Sequence, residues 1–168
     1  MTSNGSTALH IVASHGHVEL AALICESAPS LVATRNRCLD TPLHCAAKAG
    51  HGQVVACLLR AIEAAGREAA ETTLQARNRT GVTALHEAVR HGRVEVVDLL
   101  MTTAPWLASV ITDGGLSPLY MAVSHSVQMV RALLRPSQNG GPSPASAAGP
   151  EGRTALHVAA ISRTKGMI

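Results

Sequence analysis

The sequence predicts an all-α solenoid of stacked helix-turn-helix units, on three observations: a tetrapeptide that keeps returning, a glycine at fixed distance behind it, and two apolar stripes per unit. The tetrapeptide is Thr7-Ala8-Leu9-His10, then Thr41-Pro42-Leu43-His44, Thr83-Ala84-Leu85-His86, Ser117-Pro118-Leu119-Tyr120 and Thr154-Ala155-Leu156-His157. Its copies stand 34, 42, 34 and 37 residues apart. Gly16, Gly50 and Gly92 each lie nine residues after the threonine, and each is followed by His or Arg.

Each element of the unit has a physical reason. The threonine hydroxyl can cap a helix start, and Pro42 or Pro118 at the next position lacks an N–H that would otherwise go unpaired. Leu9, Val12 and Ala13, with their counterparts in later units, fall on one helix face. The glycine can end that helix in the left-handed conformation. A second stripe follows, Val18, Leu20, Ala21, Leu23 and Ile24 in the first unit and Val94, Val96, Val97, Leu99 and Leu100 in the third. One such helix pair cannot cover its own apolar face, so neighbours must stack.

This reading divides the chain into units at about 2–35, 36–77, 78–111, 112–148 and 149–168. The second carries an insertion, 61–76, whose Ala and Glu favour helix with a weak point at Gly66. The fourth carries a Gly, Ser and Pro tract, 136–149, expected to be a mobile loop. It also has Tyr120 in place of His and Ser126 in place of Gly, and is one residue short before Val127, so its helix-turn should be irregular. The fifth ends at Ile168, inside what should be its second helix, which reads as a truncated unit.

Composition narrows the function. Hydrophobic residues make up 46% of the chain, yet Phe is absent and Trp106 and Tyr120 are the only aromatics, so packing must rest on Ala, Leu and Val. A net charge of +3 is too small to imply nucleic acid. No apolar run approaches the roughly 18 residues a membrane helix needs, and the N-terminus lacks the charge and apolar order of a secretory signal. Cys25, Cys38, Cys45 and Cys57 form no CxxC pair, which fits reduced thiols in an intracellular setting.

Nine histidines raise the question of a metal, with His15-Gly16-His17 and His44-Cys45 the most ligand-like pairings. His10, His44, His86 and His157 recur, however, at the fourth position of the capping tetrapeptide, which explains them as structural. Cys45 beside His44 is the one nucleophile-base candidate, but adjacent helix residues point about 100° apart. The reading is therefore no enzyme, no metal and no cofactor.

The period and the T-P-L-H-x-A pattern resemble ankyrin repeats over nearly the whole chain. Ala28-Pro29-Ser30-Leu31, Ala104-Pro105-Trp106-Leu107, LDTPLHCAAKAGH and GRTALHVAA are similar to plant ankyrin proteins of the accelerated-cell-death (PGG-domain) type. That resemblance implies short hairpin-like finger loops ahead of each threonine, and partners bound along fingers and inner helices. Its longer members carry a C-terminal membrane domain, implying the cytosolic face of a membrane for such a form and the cytoplasm for this segment.

Carried onto this chain, the finger positions are Arg37, Cys38 and Asp40; Arg79, Thr80 and Val82; Asp113, Gly114 and Leu116; Pro150, Glu151 and Arg153. The inner-helix candidates are Lys48, Glu87, Arg90 and His91. Arg35-Asn36-Arg37 and Arg77-Asn78-Arg79 stand out, because stacking would align four arginines able to pair with carboxylates or phosphates. The alternative is that they solvate the loops or pair with Asp40 and Glu71. Trp106 reads as packing over the end of its own helix pair rather than as an exposed anchor.

The expected function is a monomeric protein-binding scaffold with an unidentified protein partner, in plant defence or stress signalling. Nucleic-acid binding and membrane insertion by this segment are not expected. The alternatives are a membrane-tethered spacer and a contact module for anionic lipid or nucleic acid.

Overall fold

A computed structural model describes residues 4–135 and 145–157. Nine α-helices are complete among them: α1 (Ala8–His15), α2 (Val18–Ser27), α3 (Pro42–Ala49), α4 (Gly52–Ala64), α5 (Arg67–Leu74), α6 (Ala84–Arg90), α7 (Val94–Thr103), α8 (Pro118–Ala122) and α9 (Val127–Leu133). Residues 136–144 of the expected mobile loop, and the fifth unit from 158 onward, lie outside the described residues.

The helices form two layers. In the inner layer α1 packs on α3, α3 on α6 and α6 on α8; in the outer layer α2 packs on α4, α4 on α7 and α7 on α9. Leu9, Leu43, Leu85 and Leu119 make a continuous buried row between the layers. Each contributes on the order of 2 kcal/mol of transfer free energy. Ala13, Ala46, Ala47, Ala88 and Ala122, also buried, let the helices approach without an aromatic filler.

Short 3-10 helices, Pro29–Ala33 and Pro105–Ser109, follow α2 and α7, each opened by a proline at its first turn. Trp106 sits half-buried in the second and packs against the core. After α4 the chain instead breaks at Gly66 and forms α5, whose Ala70 and Leu74 are buried.

The fourth helix pair departs from the others. α8 is five residues long, and Ser126 stands extended at the start of α9, its hydroxyl accepting the Met129 N–H at 3.1 Å. From cap to second helix this unit is one residue shorter than the first, Ser117 to Val127 against Thr7 to Val18, and Ser126 stands where Gly16 and Gly50 give a left-handed stop.

Candidate functional site

The surface available for binding is what stacking leaves over, so the residues that hold the stack come first. In the first three units the histidine ring turns back on its own threonine. His10 Nδ1 lies 2.8 Å from Thr7 Oγ1 and accepts the Thr7 N–H at 3.2 Å, and His44 repeats this on Thr41 with the same distances. Because Nδ1 accepts, the ring proton sits on Nε2. His10 Nε2 donates to the Asp40 carbonyl at 2.8 Å and His44 Nε2 to the Val82 carbonyl at 3.1 Å, each in the next unit. His86 keeps the contact with Thr83 at 2.8 Å, but its Nε2 faces the Leu116 carbonyl without closing a bond of normal geometry. Burial lowers all three ring pKa values, that of His86 to about 4.

A second tie uses the residue that follows each helix-ending glycine. His51 Nε2 donates to the Ser14 carbonyl at 3.2 Å, and Arg93 Nε donates to the Lys48 carbonyl at 3.2 Å, one unit back. These bonds satisfy carbonyls near the ends of α1 and α3 that have no partner within the helix. The sequence shows the glycine and its basic follower, but not this destination.

The fingers are organised by the asparagines. Asn36 Oδ1 accepts from the N–H groups of Cys38 at 2.9 Å and Asp40 at 3.0 Å, closing the loop on itself. Asn78 Oδ1 accepts from Thr80 N–H at 3.0 Å, while its amide donates to Asp40 Oδ1 at 2.9 Å and Glu87 Oε1 at 3.1 Å. Thr112 replaces asparagine in the third such loop and accepts the Leu116 N–H at 3.0 Å. Successive fingers join through Arg37 N–H to the Asn4 carbonyl at 3.0 Å and Arg79 N–H to the Cys38 carbonyl at 2.8 Å.

The four arginines stack in two rows with different surroundings. Arg35 donates to the Arg77 carbonyl at 2.6 Å, and Arg77 pairs with Asp113, so this row ties finger to finger. Arg37 and Arg79 are exposed and form no ion pair among the described residues. The acids considered from sequence are engaged elsewhere: Asp40 by Asn78 and Glu71 by Arg67 at 3.0 Å.

An open groove of about 890 Å³ runs between the fingers and the inner helices across the first three units. It is lined by Arg79, Thr80, Cys38 and Asp40 on the finger side and by Lys48, Glu87, Arg90 and His91 on the helix side. Arg37, Asp113, Gly114, Leu116, Pro150, Glu151 and Arg153 lie outside it, and Arg153 stands 4.0 Å from Glu151.

Two candidates differ from their expected exposure. Val82 is 1% exposed, because its side chain belongs to the interior while its carbonyl receives His44. Glu87 is 6% exposed, held under Asn78, with Arg90 at 4.0 Å and His91 at 3.3 Å. Sequence reasoning passed over Ile11 and weighed Cys45 as a nucleophile rather than as a partner contact; both share the helix position of Glu87 and line the same groove. Their signal was present, four residues after each threonine.

The chemistry of the groove is that of a surface. Both ring nitrogens of His44 are committed, and burial pushes the Cys45 thiol up to about 12, so the pair cannot exchange a proton as base and nucleophile. His15 and His17 stack at 6.2 Å between ring centroids, and no group of three metal-ligating side chains converges among the described residues. No described helix is long and apolar enough to cross a membrane.

The family model of ankyrin repeats (3 copies) matches residues 1–65 and 30–108. The chain is also 30% identical over 146 residues to Protein ACCELERATED CELL DEATH 6 of Arabidopsis thaliana, a match covering 80% of this chain and 21% of that protein. The chain thus spans about a fifth of that relative's length. Repeats of this kind are generally protein-interaction modules. With its Thr-His caps, glycine-ended inner helices and two-layer stack, this chain belongs to the ankyrin-repeat family.

Proposed function

We propose that the chain is a protein-binding scaffold that holds one partner across the groove of its first three units, with no chemistry of its own. The observation that carries this reading is the division of labour among side chains. His10, His44, His51, Arg35, Arg77 and Arg93 are spent on joining units. Arg37, Arg79, Lys48 and Arg90 remain exposed along the groove and finger tips. A surface held rigid by other residues lowers the ordering cost of binding.

The likeness to ACCELERATED CELL DEATH 6 supports placing the interaction in plant defence or stress signalling; the cytosolic side, and a membrane tether in a longer form, are what the resemblance to that plant family implies. The test is capture from a plant cell extract with the intact chain, with Arg37→Glu/Arg79→Glu, and with Arg60→Glu/Arg131→Glu on the outer helices. The expected result is a defined set of proteins kept by the intact and outer-face forms and lost from the finger variant. Equal sets on all three place binding elsewhere, and no retained protein on any of them favours a passive spacer.

A further inference from the structure

Resting on that reading, we infer that the groove selects an acidic peptide segment carrying one apolar residue beside its acidic run. The argument follows the rows that stacking creates. Four residues after each threonine, the groove floor reads Ile11, Cys45, Glu87; seven after, its helix-side rim reads Ser14, Lys48, Arg90. The floor at the first two units is therefore apolar, with Ile11 41% exposed and Cys45 half-buried, and its border is neutral, with Asn4 and Ser14. The end at the second and third units is bordered by exposed cations, Lys48 and Arg90 on the helices and Arg79 on the finger.

The two acids of the groove leave Lys48 and Arg79 unpaired. Glu87 is buried and lies 4.0 Å from Arg90, and Asp40 and Glu87 each accept a hydrogen bond from the Asn78 amide. Lys48 and Arg79 make no ion pair among the described residues, so their charges face the groove unmatched. A carboxylate-rich segment restores the missing partners, and an apolar side chain covers Ile11 and Cys45; a basic segment meets like charge at one end. Backbone phosphates would supply charge but nothing for the apolar end, which favours a peptide.

The test is selection from a random 12-residue peptide library on the purified chain, on Lys48→Glu/Arg79→Glu, and on Arg60→Glu/Arg131→Glu, with thermal melts confirming equal folding. Both substituted groove residues are exposed and make no side-chain hydrogen bond or ion pair among the described residues, so the fold should survive. The expected result is enrichment of Asp and Glu next to one Leu, Ile or Phe. A selected peptide then binds at least tenfold more weakly to the groove variant, binds the outer-face variant unchanged, and weakens with salt. Enrichment of basic or uncharged peptides, an acidic set indifferent to the groove variant, or no enrichment at all overturns the inference. In that event, proteins still captured from extract in a finger-dependent way leave the scaffold reading standing.

Discussion

The second and fourth units carry two versions of the tetrapeptide, Thr-Pro-Leu-His and Ser-Pro-Leu-Tyr, and close it differently. In the second, His44 binds its own threonine and the Val82 carbonyl of the next unit, and α3 runs eight residues to a left-handed glycine. In the fourth, Ser117 caps the Tyr120 N–H at 3.1 Å, the tyrosine ring lies against Gly149, and α8 stops after five residues. Phenol can fill the space of imidazole, but it cannot accept the cap N–H at one atom and donate across the interface at another. The histidine makes local cap and long-range tie a single object, and where it is missing the helix it should start is short.

If that coupling is real, acid should undo the first three units together. Burial lowers the pKa of His10, His44 and His86, so these rings bind fewer protons folded than unfolded, and stability rises with pH across the window between. The contribution is complete above the unfolded value of about 6.5 and is lost as pH falls through the folded value, about 4 for His86. That ring alone accounts for on the order of 3 kcal/mol. Melting followed by circular dichroism from pH 7.5 to 4 should show a falling Tm that starts near 6.5; a flat profile to pH 4.5 would break the argument.

The sharper test removes one ring at a time. His44→Ala loses the cap, the tie to Val82 and a buried side chain, and should cost about 2–4 kcal/mol. Tyr120→Ala, half-buried and without the tie, should cost roughly half as much. Urea denaturation measures both, and equal losses would show that volume, not the bridging ring, sets the value.

These differences mark what the sequence discloses. The fold class was legible because Thr-x-Leu-His and the helix-ending glycine are local devices, complete within a dozen residues. The destination of each ring's second nitrogen was not, since His10 reaches Asp40 and His44 reaches Val82, 30 and 38 residues away. In Arg-Asn-Arg the charge draws attention to the arginines, while the loop is built around the asparagine and spends the first arginine on the neighbouring finger. Val82 stands at a finger position like Asp40, and both present their carbonyls to the preceding histidine, but the valine side chain is buried while that of Asp40 lines the groove.

Neighbouring fingers allow a finer comparison at one position. Two residues before the cap, the backbone is left-handed at Gly5, Gly81, Gly115 and Gly152, and also at Leu39, with φ 60°. A side chain there costs about 1–2 kcal/mol, and Leu39 recovers little of it, being 41% exposed. Leu39→Gly should therefore raise stability by about 0.5–1 kcal/mol after the extra chain entropy of glycine. The reverse change, Gly81→Ala, should lower it by about 1–2 kcal/mol, because the new Cβ also meets the Asp113 carboxylate that Arg77 holds. Shifts of the same sign for the two would refute the equivalence of the loops.

The smallest effect isolates the tie between units. Gly50 and Gly92 hold the same left-handed conformation, φ 89° and 69°, so alanine strains both backbones alike. At Gly92 a Cβ meets nothing within 4 Å, whereas at Gly50 it comes 2.7 Å from Arg93 Cδ and displaces the side chain that reaches the Lys48 carbonyl. Gly50→Ala should thus cost more than Gly92→Ala by about 0.5–1.5 kcal/mol, the net value of one such hydrogen bond. The excess must vanish when the pair is repeated in an Arg93→Ala background, where no tie is left to displace. If it persists, the penalty belongs to the backbone at Gly50, and the basic residue after the glycine is there for solubility rather than for stacking.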